Sequence, residues 1–285
     1  MIVLITGITG YIGRQLAAYA KSLGHEVVGV VRGDAALDYE CYLYDGTYDS
    51  IRYAVAESKA DIVFHLATAY FKSEDDVERI VDANLKLPIY LAQALSSSSA
   101  VFVAVGSFWQ FGCDKASAIP LDSYSASKAA LETMLEYFAH KECLKVRIAY
   151  LYGTYGDGDG RGKFLDSLIS SIKKGVPLDV SPGFQVLNLL HVDDVVRALF
   201  LASENALQKK SIAIERYCIN DSEEFTLRDV VGLCATISHK HVKVTFGAVP
   251  YRDKEIMQPR YPFPSVPGWS KEIMLSEYIS KRLKG

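Results

Sequence analysis

The 285-residue sequence lacks the features that mark several classes of protein. Its five cysteines are widely scattered and form no C-x-x-C pair, so neither a disulfide framework nor a metal site is predicted. The net charge is −3 and no basic run occurs, which argues against a nucleic-acid partner. No apolar run reaches membrane-spanning length, and the first residues show no signal-peptide pattern. We therefore expect a cytoplasmic protein without a membrane partner.

Apolar runs of strand length alternate with helical patterns over the first 150 residues. Strands are predicted at 2–5, 25–31, 41–45, 61–66, 101–105 and 144–149, and helices at 11–23, 50–58, 74–95 and 124–140. Several of the strands are almost continuously apolar, as is typical of strands that are covered on both faces. The alternation predicts an α/β fold with a Rossmann-type, doubly wound parallel sheet.

A glycine-rich turn joins the first predicted strand to the first predicted helix. Residues 6–13 are T-G-I-T-G-Y-I-G, which places Gly7, Gly10 and Gly13 at G-x-x-G-x-x-G spacing. Gly7 permits the tight turn, Gly10 lets the backbone approach a pyrophosphate, and Gly13 lets the helix pack close to the strand. Tyr11 and Ile12 begin the helix, whose N–H groups and dipole favour phosphate. The stretch therefore predicts a dinucleotide-binding site, with a tight turn that binds nothing as the structural alternative.

The end of the second predicted strand distinguishes two cofactors. An acidic residue there binds the ribose 2′-hydroxyl of NAD, whereas an arginine accommodates the 2′-phosphate of NADP. Arg32 holds this position, which favours NADPH, with NADH or NAD as the alternative. Asp45, at the end of the third predicted strand, is placed to accept a hydrogen bond from the adenine amino group. An ordinary surface arginine and an ordinary turn residue are the structural alternatives.

Three side chains predict the chemistry. Tyr124 and Lys128 are four residues apart, which places them on one face at the start of a helix. A nearby ammonium lowers the pKa of a phenol, so Tyr124 could protonate a ketone oxygen as hydride arrives at carbon. Ser107 follows the fifth predicted strand, at the sheet edge where substrate sits, and its hydroxyl can hold that oxygen. Each signal is weak alone, but their order along the chain favours an active site.

The composition of the sequence and the length of its predicted elements change near residue 150. Residues 153–162 are rich in glycine, and the predicted elements that follow are shorter. We predict an NAD(P)-binding Rossmann domain at 1–150 and a small C-terminal α/β lobe at 151–285 that mainly binds substrate. This lobe is expected to be partly interleaved with the Rossmann sheet.

Taken together, the motifs resemble those of the extended short-chain dehydrogenase/reductase family over almost the whole chain. Beyond the glycine turn and the Ser107, Tyr124 and Lys128 set, they include H-L-A-T at 65–68, F-G at 111–112, Y-G at 152–153 and H-V-D-D at 191–194. The resemblance implies that the three glycines hold the pyrophosphate and that Lys128 binds the nicotinamide ribose. It further implies that Tyr124 is the acid/base, that Ser107 is its partner, and that Leu66 and Ala67 contact the cofactor.

Most members of this family act on nucleotide-activated sugars, so the resemblance implies such a substrate. Family members that dehydrate sugars carry Asp-Glu directly after the catalytic hydroxyl, where this chain has Phe108 and Trp109, which argues against dehydration. The segment 246–257 and P-G-W at 267–269 are similar to the CDP-abequose and paratose synthase type. We therefore predict NADPH-dependent reduction of the C4 ketone of a nucleotide-linked 4-keto-6-deoxy sugar, as used for surface polysaccharides.

The predicted substrate contacts are Thr68, Ser107, Phe108, Trp109, Tyr124, Lys163 and Arg252. Leu187 stands where the family stretch at 183–191 usually has an arginine, which leaves Arg252 and Lys163 as candidate phosphate partners. Each of these two could equally be a solvated basic residue. His191 follows an apolar run and is expected to be structural, although its position invites a catalytic interpretation.

Two other functions remain open. The same residues would serve an NAD-dependent nucleotide-sugar 4-epimerase, and the fold also allows a non-catalytic NADP-binding protein. The predicted helices at 74–95 and 124–140 resemble the pair that forms dimers in this family, so we predict a homodimer.

Overall fold

The computed structural model describes residues 1–34, 36–70, 77–96, 98–113, 119–209 and 214–284. Its strands are β1 (Ile2–Thr6), β2 (Glu26–Val31), β3 (Glu40–Leu43), β4 (Ile62–His65), β5 (Val101–Ser107), β6 (Lys145–Leu151), β7 (Gly153–Tyr155), β8 (Leu178–Val180), β9 (Val186–Leu187), β10 (Leu189–His191), β11 (Ile214–Ile219), β12 (Phe225–Thr226) and β13 (Val244–Phe246). Its helices are α1 (Tyr11–Ser22), α2 (Tyr48–Ser58), α3 (Val77–Val81), α4 (Leu87–Ala94), α5 (Ser123–Lys141), α6 (Phe164–Lys174), α7 (Val192–Gln208), α8 (Leu227–Ser238) and α9 (Leu275–Lys284).

A seven-stranded parallel sheet forms the centre of the protein. Its strands lie in the order β11-β6-β5-β4-β1-β2-β3, and each neighbouring pair is parallel. The order reverses between β1 and β4, so a crevice opens beyond the carboxyl ends of these two strands. The predicted Rossmann-type, doubly wound sheet is confirmed, and the glycine turn lies at this crevice.

Apolar side chains cover both faces of the sheet. Along β1, Val3 and Ile5 pack into one core and Leu4 into the other, as the two-residue period of a strand requires. Helices α1 and α7 cover the first face, and α2, α4 and α5 cover the second. This double cover is why the strands are almost continuously apolar in sequence.

The helix predicted at 74–95 is divided in the structure. Helix α3 passes into a π-helical turn, Asp82–Lys86, which is followed at once by α4. Pro88 is in the first turn of α4, where its missing N–H costs little. The predicted residues 74–76 lie outside the described part. Among the helices of the described ranges, none is both long enough and apolar enough to cross a membrane.

A third apolar core lies in the second half of the chain. It is built mainly by α6, α8 and α9, with the short parallel pair β8 and β13 beside it. Two elements of this half pack with the central sheet instead. Strand β11 pairs with β6 at the edge of the sheet, and helix α7 lies beside α1 on one of its faces. The domain boundary near residue 150 stays a prediction.

Candidate active site

The glycine turn after β1 is tightly enclosed by backbone. Gly7 has a φ of +72°, and a Cβ there would lie 2.5 Å from the Ala67 amide nitrogen at the end of β4. A Cβ on Gly13 would lie 2.1 Å from the Gly7 carbonyl oxygen. Neither position admits a side chain, so the start of α1 lies directly against the end of β1 and its N–H groups face the crevice.

A cleft of 680 Å³ extends from this turn along the edge of the sheet. Most of the predicted cofactor-binding residues line it, namely Gly7, Gly10, Tyr11, Ile12, Gly13, Arg32, Leu66 and Ala67. Thr68, predicted to contact substrate, also lines this cleft. The structure therefore brings together, in one cleft, residues that are spread over the first 70 positions of the chain.

Charged side chains lie along the cofactor cleft. Arg32, which follows β2, is about half exposed and donates a hydrogen bond to the Asp82 carboxylate at 2.9 Å. Asp34 lines the cleft close to Arg32 in sequence. Arg14, which the sequence analysis did not single out, also lines the cleft and donates to the Thr9 carbonyl oxygen of the glycine turn at 2.7 Å. The end of the cleft beyond β2 thus holds one guanidinium group, which is already paired with Asp82, and the Asp34 carboxylate.

Asp45 is not among the residues that line the cleft. Strand β3 ends at Leu43, and the Asp45 carboxylate accepts hydrogen bonds from the N–H and hydroxyl of Thr47, at 2.9 and 2.6 Å. These bonds lower the pKa of the Asp45 carboxyl. Such short-range capping competes well with contacts that are distant in sequence. The structure gives no support to the predicted adenine contact.

The predicted catalytic residues lie together. Ser107 ends β5, and its hydroxyl and that of Tyr70 interact with the Tyr124 phenol. Tyr124 lies in the first turn of α5, which Asp122 caps by accepting a hydrogen bond from the Ser125 N–H at 2.8 Å. Lys128 lies one turn further on, with its Nζ 6.0 Å from the centre of the Tyr124 ring. All three predicted side chains are buried.

Burial dominates the electrostatics of this group. It raises the pKa of the Tyr124 phenol; Tyr70 adds to the rise, and the Ser107 hydroxyl opposes it. We predicted that Lys128 would lower this pKa, but the structure gives the opposite direction, because desolvation outweighs the other contributions. A protonated phenol is the form that can donate a proton. Burial also lowers the pKa of the Lys128 ammonium to about 8.

The Lys128 ammonium has an unusual environment. Lys128 is only 3% exposed, and Nζ makes no hydrogen bond within the described ranges. A buried ammonium without a partner is costly, so this atom suits a ligand that brings hydroxyl oxygens. The glycine turn, where a Cβ would collide, and this ammonium both fit a nicotinamide dinucleotide whose ribose hydroxyls reach Lys128.

A second cleft of 490 Å³ lies beside the first. It is lined by the predicted residues Phe108, Trp109, Tyr124 and Arg252, and by Leu187. The Arg252 guanidinium lies 5.2 Å from the centre of the Trp109 ring, which supports it in a cation–π contact. Tyr124 thus lines a cleft that Arg252 and Lys254 share with three acidic residues, Asp122, Asp253 and Glu255.

Tyr70 lines both clefts. Its ring centre lies 4.6 Å from that of Tyr124. The sequence analysis missed this residue, because nothing in its local pattern distinguishes it from other tyrosines. It marks the point at which the two clefts meet, beside the Tyr124 phenol.

Lys163 lines neither cleft. Its ammonium donates a hydrogen bond to the Thr154 carbonyl oxygen at 3.0 Å. Burial first, and Arg161 second, lower the pKa of Lys163 to about 8. The structure therefore separates Lys163 from Arg252, the other candidate phosphate partner.

A buried polar network holds Ser107 in place. The Ser107 N–H donates to Gln110 Oε1 at 2.8 Å, and Gln110 Nε2 donates to Glu132 at 3.3 Å. Glu132 also accepts from the Tyr150 hydroxyl at 2.6 Å and from Arg216 Nε at 2.5 Å. The sequence analysis missed this network, although the S-x-x-Q spacing of Ser107 and Gln110 is a recognisable capping box.

Fold and site together define a Rossmann-type protein with a Ser/Tyr/Lys set in which Tyr124 lines the second cleft, while Ser107 and Lys128 line neither cleft. Residues 3–214 match the NAD dependent epimerase/dehydratase family. The chain belongs to this family, which confirms the resemblance seen in the sequence.

Full-length relatives carry more specific names. The chain is 28% identical over 294 residues to a CDP-abequose synthase of Yersinia pseudotuberculosis, with all of both chains covered. It is 28% identical over 266 residues to a CDP-abequose synthase of Salmonella typhimurium, covering 90% of this chain and 87% of that one. A probable UDP-glucuronate 4-epimerase of Rhizobium meliloti is 25% identical over 233 residues, with 69% and 66% covered.

Solved structures show the same fold. A UDP-glucose 4-epimerase from Thermotoga maritima, solved with UDP-glucose, superposes with a TM-score of 0.83 at 19% identity, covering 100% of this chain and 98% of that one. MoeE5, solved with UDP-glucuronic acid and NAD, gives a TM-score of 0.81 at 22% identity with the same coverage.

Proposed function

We propose that this protein is an NADPH-dependent reductase that acts on the C4 ketone of a nucleotide-linked 4-keto-6-deoxy sugar. The observation that supports it best is the group around Tyr124, which lines the second cleft: a protonated Tyr124 phenol, the Ser107 hydroxyl that interacts with it, and a buried Lys128 ammonium without a partner in the described residues. These are the groups that carbonyl reduction needs beside its hydride donor.

The 680 Å³ cleft is the proposed cofactor site. The glycine turn and the start of α1 would hold the pyrophosphate, and Lys128 would bind the nicotinamide ribose. When bound, the nicotinamide supplies the hydride. Arg32 lines the far end and favours the 2′-phosphate of NADPH. Asp82 accepts a hydrogen bond from Arg32, so the phosphate would share this guanidinium with Asp82.

The 490 Å³ cleft is the proposed sugar-nucleotide site. Phe108 and Trp109 would contact the sugar, while Arg252 would bind the diphosphate that links it to the base. Leu187 lies in this cleft and offers no charge, so Arg252 is the proposed main phosphate partner. The two CDP-abequose synthase names favour a CDP-linked substrate.

The proton in the reaction would come from Tyr124. Ser107 donates a hydrogen bond to the ketone oxygen and keeps it beside the phenol. As hydride reaches C4, negative charge develops on this oxygen and the Tyr124 proton moves to it. Lys128, when charged, stabilises the phenolate that remains. The buried, water-poor setting strengthens each of these interactions.

The test is the Tyr124→Phe variant, compared with Tyr137→Phe, which removes an exposed hydroxyl from the same helix. NADPH and NADH oxidation is measured against CDP-, GDP-, dTDP- and UDP-linked 4-keto-6-deoxy sugars. We expect Tyr124→Phe to lower turnover by about 10²- to 10⁴-fold while NADPH still binds, and Tyr137→Phe to retain turnover. Near-normal turnover by Tyr124→Phe would contradict the assignment.

The second candidate is an NAD-dependent nucleotide-sugar 4-epimerase. It is favoured by the carboxylate of Asp34 at the ribose end of the cofactor cleft and by the epimerase relative from Rhizobium meliloti. An epimerase returns the hydride to the sugar, so it would keep NAD bound through purification and interconvert 4-hydroxy sugars without net cofactor oxidation. The third candidate, a non-catalytic NADP-binding protein, would bind NADPH but turn over none of these substrates.

A homodimer is part of the proposal. Helices α3 and α5 expose the apolar side chains of Val77, Val81, Met134 and Tyr137. Paired helices from two copies would cover them. Sedimentation equilibrium should give twice the mass of 31.5 kDa, and a monomer at micromolar concentration would contradict this part.

A further inference from the structure

We infer that Arg161, in the loop that follows β7, is a second anchor for the pyrophosphate of the dinucleotide. The inference rests on the proposed cofactor site. Neither the resemblance to the family nor the sequence analysis assigns Arg161 a function. With this anchor, the second half of the chain would contribute directly to cofactor binding.

The position of Arg161 is the first argument. Gly158, Gly160 and Arg161 line the same cleft as the glycine turn. The Arg161 guanidinium lies 4.9 Å from the centre of the Tyr11 ring. Tyr11 is the first residue of α1 and directly follows Gly10, so the guanidinium lies beside the helix start that would hold the phosphates.

The loop is held firmly against α1. A Cβ on Gly156 would lie 2.6 Å from the Tyr11 hydroxyl oxygen, so backbone and phenol are in close contact. Arg282 on α9 donates to the Asp157 carboxylate at 2.8 Å and holds the loop from the other side. The arginine is therefore presented by a supported loop.

Arg161 is also oriented in advance. Its Nε and Nη2 donate to the two oxygens of Asp159 at 2.5 and 2.6 Å, and the Asp159 side chain is fully buried. Nη1 makes no hydrogen bond to any residue that the structure describes, and the side chain is 34% exposed. A guanidinium fixed on one edge can use its remaining N–H groups on a phosphate with little loss of entropy.

The neighbouring charges leave the free edge of Arg161 available. Burial raises the pKa of the Asp159 carboxyl, whereas Arg161 and Lys163 both lower it. The Asp166 carboxylate also acts on Lys163, so the two cations face two carboxylates and the group carries no excess charge of either sign. The pyrophosphate would therefore be recognised by the Nη1 group of Arg161 rather than by a surplus of positive charge.

The test is direct binding, measured by calorimetry without sugar substrate. Two ligands are compared: NADP⁺, which contains the pyrophosphate, and 2′-AMP, which contains the adenosine and the 2′-phosphate but no pyrophosphate. We expect Arg161→Gln to weaken NADP⁺ binding by at least about tenfold and 2′-AMP binding by less than about twofold. The control is Arg282→Gln, which loosens the same loop but removes no group from the cleft.

Because Arg161→Gln leaves Asp159 without its main partner, the double variant Asp159→Asn/Arg161→Gln is measured beside it, and thermal unfolding shows whether both are folded. Equal weakening of both ligands, an unchanged affinity for NADP⁺ in the folded double variant, or the same loss in Arg282→Gln would overturn the inference. Failure of the wild-type protein to bind either ligand would instead reject the proposed NADP site itself, and the inference with it.

Discussion

Replacing Lys128 by methionine should stabilise the protein while abolishing its proposed activity. The folded-state pKa of Lys128 is about 8, below its ordinary value of 10.5. One pKa unit corresponds to about 1.36 kcal/mol, so the buried amine costs about 3 kcal/mol of folding free energy at neutral pH. Lys128→Met fills nearly the same space without that cost.

The pH dependence identifies the cause. Since the folded pKa lies below the unfolded one, the unfolded chain binds the proton more readily between pH 8 and 10.5. The cost is absent above about pH 10.5, grows as the pH falls, and is constant below about pH 8. We therefore expect the advantage of Lys128→Met to be about 3 kcal/mol at pH 7 and about 1 kcal/mol at pH 9.5.

Urea unfolding at both pH values, monitored by tryptophan fluorescence, measures this difference. Lys173→Met is the matched control, because Lys173 is exposed on α6 and its change should leave stability nearly the same. A Lys128→Met protein that is no more stable at pH 7, or whose advantage does not shrink at pH 9.5, would refute the reasoning. Turnover of the ketone substrate should be lost in the same variant.

Two further substitutions test the supports of the site. Gly13→Ala should lower both the melting temperature and the affinity for NADPH, because the new Cβ would collide with the Gly7 carbonyl oxygen. The control is Gly33→Ala, whose Cβ would meet nothing within 4 Å and should leave the melting temperature unchanged. Gln110→Leu leaves the buried Ser107 N–H without its acceptor. It should lower the free energy of unfolding, measured in urea, by about 1–3 kcal/mol, and it should also lower turnover. Unchanged stability in either variant would contradict the packing or the hydrogen bond described for it.

The sequence predicted six of the seven strands of the central sheet and the grouping of Ser107, Tyr124 and Lys128. Buried parallel strands need apolar residues on both faces, so Val3, Leu4 and Ile5 reveal β1 without any tertiary information. Tyr124 and Lys128 share a helix face because of the helical period. Ser107 joins them because β5 ends at the edge where parallel strands place their functional residues. His191 caps α7 by accepting from the Asp193 N–H, which is the kind of hydrogen bond expected of a structural histidine.

The remaining features depend on contacts between distant residues. The pKa of Tyr124 is set by burial, which a local pattern does not reveal. Arg161 appeared only as part of a glycine-rich stretch, because its neighbour Tyr11 is 150 positions away. Lys163 was grouped with Arg252 by charge alone, whereas its ammonium is bound to the Thr154 carbonyl. Asp45 was predicted from its position after the third strand, whereas its hydrogen bonds to Thr47 become visible only in the structure.

Helix α7 and strand β11 come late in the sequence but pack with the central sheet, and this order affects how the protein folds during its synthesis. A nascent chain that has emerged through Leu151 carries β1 to β6, but the helix that completes one face of their core begins only at Val192. Until α7 has left the ribosome, apolar side chains such as Val103 on that face remain without their cover. The sheet should therefore mature late in synthesis, and chaperones that shield apolar surface should engage the chain longest in this interval.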